Sequence, residues 1–434
     1  MITSGDSPSF DRVRLLFPDH LGLARGKYLP WGIAHRGTKH CIALFALDYD
    51  RQMTPAPGTM MLEGLPDVEV SFDPADVRAS WEDDRTGVVV GDVSMHDEPL
   101  EISPRRVLRR AISRWTDMGL TPKVGIELEA FVMQPNGRGG WEEWDTPTAY
   151  VYGTGHAVDP AGIIDDIMFA AIQVGLRVES INSEYDTPQF ELTLEYGDAL
   201  ESVDRIFLFK VLARELAQRK GLLLTFLGKP FADKGGSGLH VNFSAEDANG
   251  VNVFLDTADE AQLSQIARHS IAGCLAHHEA MSAVCAPTVN AYKRLVPGQM
   301  SGYWANWGID HRSATVRIPW GPTPGKRIEH RMSDGAANPY LATAAVLNAA
   351  YLGVAQSLPL DAPEVGDGFE TANTERCVPE NLSGALDAYE ANTEFAATMG
   401  QEFSDYWVAI KRAEWDKYRR AVTDWELNHY LAFL

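Results

Sequence analysis

Asn182-Ser-Glu-Tyr-Asp-Thr-Pro-Gln-Phe-Glu191 sets two carboxylates, Glu184 and Glu191, at opposite ends of a short connection interrupted by Pro188. The residues before it, Gly175-Leu-Arg-Val-Glu-Ser-Ile181, alternate in the manner of a strand, and Phe190-Glu-Leu-Thr-Leu-Glu195 alternates again after it. Proline lacks the N–H a ladder needs and fixes its own φ, so it ends the first strand and bends the chain. Two adjoining strands then aim both glutamates at one point. The function of the chain turns on what that point holds.

The 434 residues suffice for two domains, or for one large domain with a smaller partner. Hydrophobic residues make up 45%, enough for a substantial core, yet no apolar run approaches the roughly 18–20 residues of a membrane span. The opening Met1-Ile-Thr-Ser-Gly-Asp-Ser-Pro8 lacks the basic start and apolar middle of a secretion signal, so a cytoplasmic location is expected. Cys41, Cys274, Cys285 and Cys377 show no paired metal spacing and are expected to be buried, reduced thiols. A net charge of −22 repels phosphate backbones and anionic bilayers, which argues against nucleic-acid and membrane partners.

Asp11–Phe17 and Thr86–Ser94 read as strands, separated by the turn-rich loop Thr54–Pro66. Ser103-Pro104 opens a helix whose apolar stripe is Val107, Leu108, Ala111, Ile112 and Trp115, closed by Gly119. A domain boundary is therefore expected near Pro99–Pro104, dividing residues 8–100 from 101–434. Further strands are expected near 124–133, 176–195, 222–228 and 238–244. Helices are expected near 160–174, 198–219 and 258–284, from Pro339 to about Leu358, and through 380–434.

Three more runs carry chemistry. In Val124-Gly-Ile-Glu-Leu-Glu-Ala-Phe-Val-Met133 the alternation of a strand puts Glu127 and Glu129 on one face and Ile126, Leu128 and Ala130 on the other. Buried so close together, the two carboxylates repel unless a cation stands nearby. In Gly235-Gly-Ser-Gly-Leu-His-Val-Asn-Phe-Ser244, glycines permit close backbone approach, and His240 and Asn242 share a strand face. In Arg327-Ile-Glu-His-Arg331, Glu329 is flanked by arginines on its own face. Each run alone is compatible with a solvated polar face or a structural histidine. Together, five carboxylates and one imidazole suit two divalent ions of the Mg2+ or Mn2+ kind.

With these motifs in place the chain resembles the glutamine synthetase family. Glu127-Leu-Glu129 resembles its paired metal glutamates. Asn182…Glu184…Pro188-Gln-Phe-Glu191 resembles its metal and substrate turn, and Gly235-Gly-Ser-Gly-Leu-His240 its ATP loop and metal histidine. Pro287-Thr-Val-Asn-Ala-Tyr-Lys-Arg-Leu-Val-Pro-Gly298, His311-Arg…Arg317-Ile-Pro319 and Arg327…Asp334…Asn338-Pro-Tyr-Leu341 follow in the family's order. The resemblance implies an α+β fold, with a small N-terminal β-grasp-like domain and a larger catalytic α/β domain built on a curved antiparallel sheet. It implies homo-oligomeric double rings, a dodecamer, in which one subunit's N-terminal domain closes its neighbour's site.

It also implies roles. Glu129, Glu184 and Glu191 would hold a metal near the acid substrate, and Glu127, His240 and Glu329 one near the ATP phosphates. Arg294, Arg331, Gly236 and Met300 would bind substrate. Arg312 and Arg317 would offset charge on the transferred phosphoryl group, and Asn242, Ser244, Arg317 and Arg327 would contact ATP.

The pattern departs from the family at several points. Family members that use ammonia carry a glutamate two residues after the Arg294–Gly298 motif, where this chain has Gln299 and Met300. The N-terminal Asp-Gly-Ser-Ser stretch is replaced by Leu47-Asp-Tyr-Asp-Arg-Gln52, and Gly235 takes the place of an asparagine that touches the amino-acid substrate. Arg376 stands where a regulatory tyrosine would lie, so adenylylation there is not expected. A thioether wall favours an amine with a hydrocarbon body over ammonium, which only anionic walls recognise. The reading favoured is an ATP-dependent ligase making a γ-glutamyl amide from glutamate and an organic amine. True glutamine synthetase, with Asp48, Asp50 or Glu63 restoring an anionic pocket, stays open, as does a different phosphotransferase or a non-catalytic relative on the same scaffold.

Overall fold

A computed structural model describes residues 10–321, 324–369 and 371–434; the opening run Met1–Pro8 lies outside the described residues. Before the first long helix come β1 (Arg12–Pro18), β2 (Ala24–Pro30), the single turn α1 (Trp31–Ala34), β3 (Thr38–Cys41), β4 (Asp67–Ser71), β5 (Arg78–Ala79), β6 (Thr86–Val90), β7 (Asp92–Met95) and β8 (Glu98–Pro99). They make two four-stranded sheets, ordered β2-β1-β6-β5 and β3-β4-β7-β8. The single strand expected over Thr86–Ser94 is thus two strands in two sheets. Gly91 makes the crossing: its N–H donates to Leu16 O at 2.7 Å, and a Cβ there would lie 2.6 Å from Val70 Cγ1. Only glycine tolerates so close an approach.

Helix α2 (Pro104–Asp117) buries Val107, Leu108, Ala111 and Trp115 as its spacing requires. Ser103 sits at the N-cap, but its buried hydroxyl makes no cap hydrogen bond, so proline at the first turn carries the helix start. The ten-stranded sheet that follows is organised around β9 (Thr121–Pro135). Along the chain it adds β10 (Trp141–Glu143), β11 (Val178–Ser183), β12 (Gln189–Leu194), β13 (Gly197–Asp198), β14 (Leu223–Thr225), β15 (Leu239–Glu246), β16 (Trp307–Ile309), β17 (Val316–Ile318) and β18 (Ile328–His330). The main order is β11-β12-β9-β15-β18-β17-β16, antiparallel except for the β16–β17 pair. Ile126, Leu128 and Ala130 turn to the buried face, at 1% exposure or less, which leaves Glu127 and Glu129 on the other.

That buried face is covered by α2, α3 (Ile163–Gln173), α4 (Ala199–Arg219) and α7 (Pro339–Ala355), with α5 (Gln265–Ala276) and α6 (His278–Cys285) packed against α7. The tail folds into α8 (Leu382–Ala391), α9 (Thr393–Met399), α10 (Gln401–Tyr418) and α11 (Asp424–Tyr430). The single helix expected over 258–284 is instead two. Asp259 caps the turn before it by accepting N–H bonds from Ala261 and Leu263, so α5 starts only at Gln265; α6 follows after His277. All four cysteines are free, but only Cys274 and Cys285 are buried; Cys41 is exposed and Cys377 half-exposed, contrary to the sequence expectation.

Helices α5 and α7 approach closely because glycines face each other. A Cβ at Gly273 would lie 2.1 Å from Ala349 O, and one at Gly353 2.0 Å from His269 O. Gly353→Val therefore forces the pair apart and is expected to cost about 2–4 kcal/mol, read as a lower urea midpoint at unchanged slope.

Candidate active site

Strand register assembles the site. On the β12–β9 pair Glu191 stands directly opposite Glu129, and on the β15–β9 pair His240 stands directly opposite Glu127. On the β15–β18 pair Asn242 faces Glu329, and on β17–β18 Arg317 faces Glu329. Directly opposed side chains share a face about 5 Å apart, and like charges in that position are destabilising. The hairpin places the remaining carboxylate: Glu184 N–H donates to Gln189 O at 2.8 Å, closing the turn just beyond β11.

The result is two adjoining groups of three. Glu127, His240 and Glu329 each offer a ligand atom within 4.8 Å of the others, and so do Glu129, Glu184 and Glu191. His240 stands between them. Its Nδ1 lies 3.3 Å from Glu127 Oε2 and 3.7 Å from Glu329 Oε1, while its Nε2 lies 3.8 Å from Glu129 Oε1.

The two groups are electrostatically unlike. Burial would raise Glu127 and Glu329, but His240 and Asn242 around the first, and Arg331, His240 and Arg317 around the second, hold both below the usual carboxylate range. Asn242 Nδ2 donates to Glu127 Oε1 at 2.9 Å, and Arg317 to Glu329 Oε2 at 2.6 Å, with Arg331 on the other oxygen. The second group has less relief: the N–H of Gly238 donates to Glu129 Oε2 at 2.7 Å and that of Tyr185 to Glu184 Oε2 at 2.9 Å. Burial, then the charges of Glu127 and Glu184, push Glu191 up to about 7; burial and Glu129 raise Glu184. Among the described residues neither carboxylate has a cationic side chain within salt-bridge reach, and the buried His240 Nε2 has no hydrogen-bond partner. Crowded hard oxygen donors with no paired arginine or lysine, beside an orphaned imidazole nitrogen, fit divalent cations.

Beside Glu127 opens a cleft of about 210 Å³, lined by Asn242, Ser244, Arg327, Tyr196 and Asn252 among others. Three residues expected to contact a nucleotide thus share one cavity, and Arg327 Nε donates to Asn242 Oδ1 at 2.8 Å. A Cβ on Gly125 would lie 3.1 Å from Tyr196 Cβ, so glycine lets the aromatic ring close that wall. Sequence reasoning missed Tyr196; the only signal was an aromatic residue directly after the strand.

The expected substrate residues are less uniformly gathered. Arg294 is 4% exposed, and its guanidinium donates to Met332 O at 3.0 Å and Arg331 O at 3.3 Å. Gly236 lies against it, since a Cβ there would be 2.6 Å from Arg294 Cγ. Arg317 is tied to Asp310 as well as to Glu329, a partner not foreseen. Arg312 is exposed, and its charge reaches Glu184 as a lowering influence. Met300 is 52% exposed on the loop after Gly298. Asp48 and Asp50 both pair with Lys417 of α10, at 2.9 Å in the case of Asp48.

Residues 101–430 match the sequence profile of the glutamine synthetase catalytic domain. A glutamine synthetase of Clostridium saccharobutylicum is 35% identical over 353 residues, covering 77% of this chain and 76% of its own. A gamma-glutamylethanolamide synthetase of Streptomyces coelicolor is 32% identical over 445 residues, covering 99% of this chain and 93% of its own. The solved structure of a GmaS/ADP complex superposes with a TM-score of 0.85 at 30% identity, covering 98% of this chain and 97% of that one.

The raised Glu191 has a consequence for the protein without bound cations. A carboxyl whose folded pKa exceeds its unfolded one stabilises the fold below the unfolded value, and that contribution disappears as pH rises through the folded value. Between about pH 4.5 and pH 7 the wild type in chelator is therefore expected to lose about 1–2 kcal/mol, after allowance for solvent screening, that Glu191→Gln does not lose. Urea titrations of both proteins at pH 5 and pH 7.5 measure the difference.

Proposed function

This chain belongs to the glutamine synthetase family of ligases, and we propose that it joins the side-chain carboxylate of glutamate to an organic amine at the expense of ATP. The observation that carries the ligase reading is the pair of ligand groups joined through His240, one opening on the cleft and the other with no lysine or arginine paired to it among the described residues. Glu127, His240 and Glu329 would hold one Mg2+ or Mn2+, and Glu129, Glu184 and Glu191 another. When bound, such ions neutralise the clustered carboxylates and phosphate oxygens alike.

The chain's own residues would do the following. Asn242, Ser244 and Arg327 line the cleft for ATP, and Asn242 orients both Glu127 and Arg327 through its amide. Arg294 and Arg331 hold the substrate's α-carboxylate, a task suited to the guanidinium fork. A side-chain carboxylate oxygen of glutamate attacks the γ-phosphorus of ATP, ADP leaves, and an acyl phosphate remains. Arg312 and Arg317 offset the charge on the transferred group. The amine nitrogen then attacks the acyl carbon, the bond from that carbon to the phosphate oxygen breaks, and the proton lost by nitrogen leaves with the phosphate. Activation is needed because a free carboxylate is a poor electrophile.

The acceptor is assigned from Gln299 and Met300, which stand where ammonia-using relatives carry a glutamate. The 32% identical gamma-glutamylethanolamide synthetase, matched along nearly the whole chain, supports an amine acceptor. The second reading is ammonia itself, supported by the relatives named glutamine synthetase. Against it, the aspartates offered as ammonium ligands are already paired with Lys417. A ring of identical subunits in the cytoplasm, with residues near 46–66 completing a neighbour's site, is part of the same proposal.

ADP release with glutamate and a panel of alkylamines, amino alcohols and polyamines tests the assignment, with ammonia as the reference acceptor. Turnover with ammonia exceeding that with every amine overturns it. Glu129→Ala and His240→Ala are each expected to lower turnover at least about 100-fold with unchanged circular dichroism. Met300→Glu is expected to shift the acceptor ratio toward ammonia about tenfold or more, as a new anionic wall should.

A further inference from the structure

Gly235 leaves open a space that a second residue faces. Its N–H donates to the carboxylate of Asp186, and a Cβ at this position would lie 3.0 Å from Asp186 Oδ2. Asp186 sits in the turn between β11 and β12, two residues after Glu184, and its backbone carbonyl accepts from Gln189 N–H at 3.0 Å. Gln189 in turn donates through Nε2 to Gly236 O at 2.9 Å, so the acidic turn and the glycine loop are held together. The nearest lysine of that loop is committed elsewhere: Lys234 Nζ donates to Thr187 O at 2.7 Å and pairs with Glu143 at 2.9 Å. Asp186 has no cationic partner among the described residues.

The neighbourhood says what such a carboxylate would meet. Gly236, next in sequence to Gly235, packs on Arg294, the residue proposed to hold the substrate's α-carboxylate. In an α-amino acid the ammonium group shares its carbon with that carboxylate. A site that grips the carboxylate with arginine must therefore offer an acceptor for the ammonium a few ångströms away. The γ-carboxyl end, where the amine arrives, belongs to the Glu129–Glu184–Glu191 group instead.

We propose that Asp186 recognises the α-ammonium group of the acid substrate, with the side-chain-free Gly235 keeping the space beside its carboxylate clear. This rests on the ligase reading above. It deepens that reading by assigning amino-acid over plain dicarboxylic-acid specificity to a residue of the turn rather than to a side chain of the glycine loop.

The test compares L-glutamate with glutarate, which has the same reacting carboxylate and no amino group, in the full-length protein with ATP, Mg2+ and the best amine. Asp186→Asn keeps an oxygen for Gly235 N–H and removes only the charge, so it is expected to fold with an unchanged melting temperature. The wild type should favour glutamate in kcat/KM by about 30-fold or more, and Asp186→Asn should bring the two acids within about fivefold by raising KM for glutamate alone. Equal losses with both acids, or a wild-type preference retained in Asp186→Asn and lost only in Asp186→Ala, would make Asp186 a structural tie and overturn the proposal. So would a rise confined to KM for the amine. Absence of turnover by the wild type with either acid would instead refute the ligase reading itself.

Discussion

The crowding of Glu191 by the carboxylates of Glu127 and Glu184, with Glu129 directly across the ladder, is the constraint on which the rest of the site depends. Antiparallel register sets Glu191 and Glu129 face to face, and burial strengthens the repulsion across the group. A one-residue slip of β12 against β9 would turn every side chain of that strand to the opposite face. The apolar residues Phe190, Leu192 and Leu194 forbid it, because all three are buried in the core. The hydrophobic pattern therefore enforces an electrostatically unfavourable meeting. Either protonation of Glu191 or a cation from outside the chain relieves such an arrangement, and the second is the physical content of the proposed metal site.

The first group shows the other solution to the same problem. Glu329, at 1% exposure, has each oxygen taken by an arginine, and Glu127 leans on His240 and Asn242. A carboxylate has about four lone-pair positions, so these contacts do not exhaust its capacity to accept. The two arginines paired with Glu329 are also the Arg317 and Arg331 proposed to meet the transferred phosphoryl group and the substrate carboxylate. The protein thus keeps its arginines neutralised by the carboxylate they stand beside.

Much of this was legible in the sequence, and the reason is periodicity. Alternation alone put Glu127 with Glu129 and His240 with Asn242, because a strand allows no other arrangement, and the resemblance joined runs that alternation cannot. What alternation does not encode is pairing across strands of distant sequence. Nothing local announces that Asn242 faces Glu329, or that Asp310 meets Arg317. The crossing at Gly91 and the delayed start of α5 were missed for a related reason: each is decided by a contact with another part of the chain or by a turn whose side-chain acceptor competes with the helix. Arg312 and Met300 lie on loops, where sequence offers position along the chain but not position in space.

Strand-borne and loop-borne residues differ in what their replacement costs. The ligand groups are fixed by ladders running through the core, so each side chain's place is set by the sheet, and replacing it removes a ligand that no other position can supply. Met300 is 52% exposed on the connection after Gly298. On the proposed reading, an ancestor could exchange one nitrogen donor for another by drift in that connection alone, while the energy-transducing machinery stayed frozen. Diversity of acceptors on one unchanging activation chemistry is what such a partition of risk would leave behind.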